Sequence, residues 1–149
     1  MATDRFHICP KCRDKSWAGS LFDSLLAVAV GKMPMCTKCA TSVSLHLSFA
    51  WGLDAGTFEC VVLDAFLPDE PVKWSDKRRR EVTFYPFLVI TERKGERVAW
   101  LPYWHVVRGK GKEQKKYGQW APSMDLSTFE ELVAKARSKG YLKSIATGA

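Results

Sequence analysis

The sequence predicts an α+β fold. A small cysteine-rich module at the N-terminus is followed by an antiparallel β-sheet of about four strands with a C-terminal helix packed on it. Two Cys-x-x-Cys pairs lie close to the N-terminus. Residues 42–51 alternate strictly between polar and apolar side chains, as in a half-buried strand. Residues 127–130 read Ser-Thr-Phe-Glu, a capping box ahead of an amphipathic helical pattern.

The composition is that of a folded, globular chain. Apolar residues make up 46% and charged residues 26% of the 149 positions, which excludes a wholly disordered polypeptide. The richest apolar stretch, residues 21–30, contains Asp23 and is far shorter than the roughly 20 residues that cross a bilayer. The first residues also lack the apolar core of a signal peptide. We therefore expect no membrane partner, and a cytoplasmic location, or a nuclear one if the source is eukaryotic.

Four of the five cysteines are candidate metal ligands: Cys9, Cys12, Cys36 and Cys39. Each pair has the spacing at which a tight turn directs two sulfurs to one point, and two such turns supply the tetrahedral four-thiolate shell that zinc prefers. A reducing compartment disfavours disulfides between them. The spacing predicts one structural Zn²⁺ per chain. Iron in the same shell, a redox dithiol and four free thiols are the alternatives.

This arrangement resembles the zinc ribbon, or rubredoxin-like, module, in which two Cys-x-x-Cys knuckles hold one metal between hairpin turns. The resemblance covers only about residues 6–45. The 23 residues between the knuckles exceed the roughly 15–20 of the usual spacing. The resemblance implies a structural metal and often a nucleic-acid or protein-docking role. Cys60, in an apolar strand pattern, is expected to be a buried hydrophobe, and no role is assigned to His7, His46 or His105.

The extra length between the knuckles is predicted to hold a helix that is capped by Ser20 and ends at Gly31. Strands are predicted at 42–51, 57–67, 82–91 and 97–107, with a hairpin tip at 92–96. The expected organisation is a zinc-ribbon module with an inserted helix over 1–41, the sheet and C-terminal helix over 42–142, and a tail over 143–149.

Two prolines interrupt the predicted strands, and two polar loops lie between or after them. Pro86 and Pro102 lack a backbone N–H, so each of the two later strands needs a bulge or a sheet edge there. The polar loop after residue 67 ends in a basic cluster, and a second basic loop at 108–116 is predicted to be flexible because it contains two glycines. The C-terminal helix is expected to bury Phe129, Leu132, Val133 and Ala136.

The excess of positive charge is confined to the two basic loops. The net charge is +7, and residues 73–80 and 108–116 each carry five basic and one acidic residue. Aromatic residues flank both loops, and cations beside aromatic rings are typical of proteins that bind single-stranded nucleic acid. Ten residues are candidate nucleic-acid contacts: Lys77, Arg78, Arg79, Arg80, Arg108, Lys110, Lys112, Lys115, Lys116 and Trp120.

The sequence therefore favours a small non-catalytic zinc protein that contacts nucleic acid or a nucleic-acid-bound protein complex. One alternative is a protein–protein adaptor or inhibitor that docks through exposed aromatic residues. A second is a metal-dependent nuclease, because Asp69 followed by Glu92 and Lys94 resembles a carboxylate with an E-x-K motif. No catalytic residue and no small-molecule substrate is predicted.

Overall fold

The computed structural model describes residues 2–50, 57–118 and 126–143. The predicted turn at 52–56, Trp120 and the tail beyond residue 143 lie outside this part. The elements in chain order are β1 (Ala2–Ile8), β2 (Lys15–Trp17), α1 (Leu21–Ala29), β3 (Ser44–Ala50), β4 (Thr57–Phe66), β5 (Val72–Ser75), β6 (Glu81–Pro86), β7 (Leu88–Arg93), β8 (Glu96–Trp100), β9 (Tyr103–Gly109), β10 (Lys112–Gly118) and α2 (Leu126–Ser138).

The chain forms two compact units. Unit 1 comprises residues 1–65 and 89–99, and unit 2 comprises residues 66–88 and 100–149. Unit 1 contains a six-stranded sheet in the order β2-β1-β3-β4-β7-β8, and unit 2 a four-stranded sheet in the order β10-β9-β6-β5. The α+β class is confirmed, but the prediction of one sheet of about four strands is wrong. The predicted boundary at residue 41 stays a prediction, because compactness does not test which segment folds alone.

The core of unit 1 follows the alternation predicted for its central strand. Leu45 and Leu47 on β3 are each 1% exposed, and Leu47 lies opposite the buried Cys60 on β4. The helix α1 is also confirmed: the Ser20 hydroxyl accepts a hydrogen bond from the Asp23 N–H at 3.1 Å, which satisfies one free donor of the first turn.

Each of the two later predicted strands divides at a proline and contributes to both sheets. The predicted strand 82–91 becomes β6 and β7, separated at Phe87, and 97–107 becomes β8 and β9, separated at Leu101 and Pro102. The Phe87 N–H donates to the Pro102 carbonyl at 2.9 Å, so the two breaks lie side by side. A proline cannot donate to a ladder, and here it ends the strand instead of producing the expected bulge or edge.

The two basic loops are largely β-structure in unit 2. Strand β5 lies within the predicted polar loop and pairs with β6. The second loop is a hairpin, in which β9 and β10 are joined at Lys110 and Gly111, both at positive φ as a type I′ turn requires. The prediction of a loop at 108–116 is therefore wrong. Polar side chains occupy both faces of β10, so the sequence has no apolar alternation there to mark a strand.

The C-terminal helix α2 is confirmed, with a narrower buried face than predicted. Leu132 and Ala136 are completely buried, whereas Val133 is half-buried and Phe129 is 44% exposed. Gly140, at φ +80°, ends the helix, and the Tyr141 N–H donates to the Ala136 carbonyl at 3.1 Å. Neither helix in the described part of the chain is long and apolar enough to cross a membrane.

Candidate metal centre and basic groove

The two cysteine knuckles share one backbone geometry. In the first, the Cys9 N–H donates to the Asp14 carbonyl at 2.9 Å, the Arg13 N–H donates to the Cys9 carbonyl at 2.9 Å, and Arg13 has φ +64°. The second knuckle repeats these contacts at Cys36, Thr41 and Ala40, with distances of 2.8 and 2.9 Å and φ +51° at Ala40. Both turns are therefore built to hold a pair of sulfurs in the same way.

The knuckles bring four sulfurs to one point. The Sγ atoms of Cys9, Cys12, Cys36 and Cys39 all lie within 4.8 Å of one another, and those of Cys12 and Cys36 are 3.6 Å apart. A tetrahedral shell with metal–sulfur bonds of about 2.3 Å places its sulfurs about 3.8 Å apart, so the cluster fits a four-thiolate metal. Among the described residues this is the only group of three or more potential ligands of this kind.

The surroundings of the sulfurs support a bound cation. The Cys12 N–H donates to the Cys9 sulfur at 3.4 Å, and this bond is the main reason that the pKa of Cys9 falls to about 7. The neighbouring Cys12 raises the pKa of Cys39 to about 12. Four adjacent thiols cannot all ionise without a cation to offset their repulsion. Lys38 contributes some positive charge and joins the knuckles through a 2.9 Å ion pair with Asp14.

Cys60 and the three histidines are not part of this cluster. Cys60 is buried, as expected, and burial raises the pKa of its thiol. Burial lowers the pKa of His7, His46 and His105, so each favours its neutral form. The Nε2 atom of His7 is buried without a hydrogen-bond partner.

In unit 2 the structure brings the two basic segments together. They line one groove of about 560 Å³. The segment before β6 and the β9–β10 hairpin are separated in sequence, and between them they supply five cationic side chains to it. The lining residues are Arg78, Arg79, Arg80, Val107, Gly109, Lys110, Lys112 and Gln114.

The arginine segment is a turn organised by one carboxylate. The Asp76 side chain accepts hydrogen bonds from the N–H groups of Arg78 and Arg80, both at 2.9 Å, and from the Arg80 Nε at 2.8 Å. These bonds, that from the Arg80 N–H foremost, hold the pKa of Asp76 below its ordinary value. Arg79 has φ +56°, so the turn holds it in the left-handed region. The three arginines are therefore presented by an ordered turn.

Strand register divides the remaining candidates between the two sheet faces. Opposed residues in an antiparallel pair share a face, and successive residues alternate. Gly109 pairs with Lys112 and His105 with Lys116, so both lysines lie on the groove face of the sheet. Arg108 and Lys115 lie on the opposite face, where Arg108 donates to Glu113 at 2.7 Å. Lys77 does not line the groove.

An aromatic cluster occupies the same face as the groove. His105 is opposite Phe84 and makes a T-shaped contact with the Trp74 ring at 5.5 Å. Tyr103, two residues before His105, completes the cluster. Trp74 is one of the aromatic residues that flank the first basic segment in the sequence, whereas no role was assigned to His105; the period-two spacing of Tyr103 and His105 was the available signal. Trp104 alternates to the other face and is buried.

The residues of the nuclease hypothesis make other contacts. The Asp69 carboxylate accepts from Lys135 at 2.6 Å within unit 2, whereas Glu92 pairs with Arg97 at 3.7 Å within unit 1. Lys94 and Gly95, at φ +48° and +80°, form the tip of the β7–β8 hairpin. The hairpin tip predicted at 92–96 is confirmed.

Comparison with known proteins gives no match: no family model, no curated protein and no solved structure is significantly similar to the chain. The fold and the site therefore define it only as an α+β protein with a four-cysteine metal-binding cluster.

Proposed function

We propose that the protein is a non-catalytic zinc protein that binds nucleic acid through the basic groove of unit 2. The observation that carries the proposal is that two basic segments, far apart in sequence, line a single groove. Charged side chains that are merely solvated have no need to converge on one surface. A concave surface with five cations instead suits a phosphate backbone, which presents closely spaced negative charges.

The proposed metal is one structural Zn²⁺ held by Cys9, Cys12, Cys36 and Cys39. Four sulfur ligands saturate a tetrahedral ion and leave no open position for chemistry. A metal in this shell stabilises the fold by linking the two knuckles, most of whose residues other than the cysteines are exposed.

The charges proposed to contact phosphates are those of Arg78, Arg79, Lys110 and Lys112. Arg80 also lines the groove, but its guanidinium pairs with Asp76 at 2.7 Å and serves mainly to shape the turn. Lys116 extends the positive surface along the same face. Arg108 and Lys115, on the opposite face, are left out of the proposed contact.

The test is the salt dependence of binding to a fluorescein-labelled single-stranded 12-mer, measured by anisotropy. The log–log slope is about −0.7 for each phosphate neutralised on a single strand. The variant Lys110→Asn/Lys112→Ala should therefore shallow the slope by about 1.4, with asparagine chosen because it tolerates positive φ. The matched control, Lys115→Ala/Lys143→Ala, removes the same charge at two residues that do not line the groove and should leave the slope within error.

Two results would reject the proposal. The first is a wild-type protein whose binding is absent or insensitive to salt. The second is an equal change of slope in the two double variants, which would mean that net charge and not the groove governs binding. Either outcome would favour the adaptor or inhibitor alternative. That alternative is tested by capturing protein partners with the wild-type protein and with a variant of the exposed Trp17, which should no longer bind them.

A further inference from the structure

We propose that the ligand of this surface is a single strand, with one base stacked on Trp74 and its backbone running along the sheet into the basic groove. This inference rests on the proposed function. The inference specifies that the nucleic acid is single-stranded, which residue distinguishes a single strand from a duplex, and how many nucleotides fill the site.

The aromatic cluster is suited to stacking because its rings differ in exposure. Trp74 lies on the edge strand β5 and is 43% exposed, whereas Phe84 beneath the cluster is only 7% exposed. The planes of Trp74 and His105 are 81° apart, and a perpendicular contact covers at most one face of either ring. Phe84 and Tyr103 also contact His105, at 5.3 and 5.5 Å between centroids, and hold it in place. Trp74 is thus an exposed ring on a supported platform.

Cations and rings on one face favour a single strand over a duplex. The groove alone could bind the phosphates of either form. In a duplex, however, the faces of the bases are stacked on each other and cannot reach an aromatic side chain on a sheet. A single strand can offer a base to Trp74 while its phosphates contact the cations, which is how sequence-tolerant single-strand binders obtain their affinity.

The length of the site follows from the strand spacing. Trp74 on β5 is aligned through Val82 on β6 with Val107 on β9, which lines the groove. Two strand spacings of about 4.8 Å therefore separate the stacking ring from the groove, about 10 Å across the sheet. A stacked strand covers this distance with about three nucleotides, at 3.4 Å each, and an extended strand needs fewer. Lys116 lies opposite His105, on the same face. A tetranucleotide should therefore reach both parts of the site, and a dinucleotide should not.

The experiment compares Trp74→Ala, Trp74→Phe and the control Trp17→Ala. Trp17 belongs to unit 1 and is 53% exposed, so its replacement removes a similar exposed indole. Dissociation constants are measured for single-stranded DNA and RNA of 2, 4, 8 and 12 nucleotides and for a 12-base-pair duplex. Thermal unfolding of each variant establishes that it is folded.

We expect Trp74→Ala to weaken binding of the single-stranded 12-mer by about 5- to 150-fold at every salt concentration, because a base–aromatic stack contributes that much. Duplex binding should change less than twofold, Trp74→Phe should retain most of the affinity, and Trp17→Ala should match the wild type. Affinity should rise steeply between two and four nucleotides and only gradually afterwards.

Equal affinity for duplex and single strand, or a Trp74→Ala change no larger than that of Trp17→Ala, would overturn this inference. Failure of Trp74→Phe to restore binding would do the same, because a stacking role requires only an aromatic face. These results would leave the groove proposal standing if the Lys110→Asn/Lys112→Ala variant still shallowed the salt slope. The two proposals can therefore fail independently.

Discussion

Removal of one knuckle cysteine is the most demanding test of the metal centre. Cys36 is 6% exposed and its sulfur lies 3.6 Å from that of Cys12, so Cys36→Ser removes a thiolate at the centre of the cluster. The Met35–Ser42 bridge closes the second knuckle immediately before β3 begins. Strand β3 pairs with β1, and Ile8, the residue before the first knuckle, lies opposite Ser44. Both knuckles are therefore joined to the same pair of central strands.

The expected loss of folding free energy on removal of the metal is large relative to the stability of the fold. Structural zinc contributes about 10–16 kcal/mol in small zinc modules, whereas a whole domain is stable by about 5–15 kcal/mol. Loss of even half of the metal contribution would leave the knuckles, and the β1–β3 pairing that they adjoin, unfolded. Cys36→Ser should therefore lose the metal and the hydrogen-exchange protection of β1 and β3.

Metal content by mass spectrometry and amide exchange are measured together. The control is Cys60→Ser, which changes a buried thiol outside the cluster and should keep one metal per chain. The reasoning is refuted if Cys36→Ser retains stoichiometric metal, or if Cys60→Ser loses it. Identification of the metal as iron would retain the ligand set but reject zinc.

Two further predictions concern stability. A Cβ at Gly118 would lie 1.8 Å from Cζ of Tyr103, so Gly118→Ala must displace that ring and should cost about 1–3 kcal/mol in thermal unfolding. Gly109→Ala places its Cβ 2.7 Å from Cγ of Arg80, a less severe overlap, and should cost less; the reverse order would contradict this packing. The pKa of His105 is lowered by burial and by Lys116, so the folded state binds fewer protons at this residue than the unfolded state. The stabilisation contributed by neutral His105 is fully present above the ordinary histidine pKa of 6.5 and is lost as pH falls through the pKa of the folded state. The His105→Gln variant should therefore lose less stability than the wild type between pH 7.5 and 5. Parallel stability curves for the two proteins would refute the assignment.

The elements that could be predicted from the sequence are those whose signals are local. A Cys-x-x-Cys turn positions its two sulfurs through a few backbone hydrogen bonds. Ser20 caps its helix by accepting a hydrogen bond from the N–H of Asp23, three residues later in the chain. The alternation of β3 marks a buried face within a single strand. In each case the residues that determine the geometry are neighbours in the chain, so their spacing is sufficient evidence.

The division into two sheets was decided by tertiary structure. Pro86 and Pro102 predict that a strand is interrupted locally, but a missing backbone N–H does not indicate which strands pair on either side of the interruption. The Phe87–Pro102 hydrogen bond, which joins the two interruptions, links segments that are distant in sequence. Strand β10 was missed for a related reason: its partner β9, and not its own composition, makes it a strand.

The groove illustrates the same limit at the candidate site. Sequence alone determined that the positive charge is concentrated in two segments and that aromatic residues flank them. It could not determine that Lys112 shares a face with His105 while Lys115 does not, or that Trp74 and His105 touch. Those facts depend on register, because a shift of one residue moves every side chain of a strand to the other face, and register is set by pairing between segments that only the folded chain brings together.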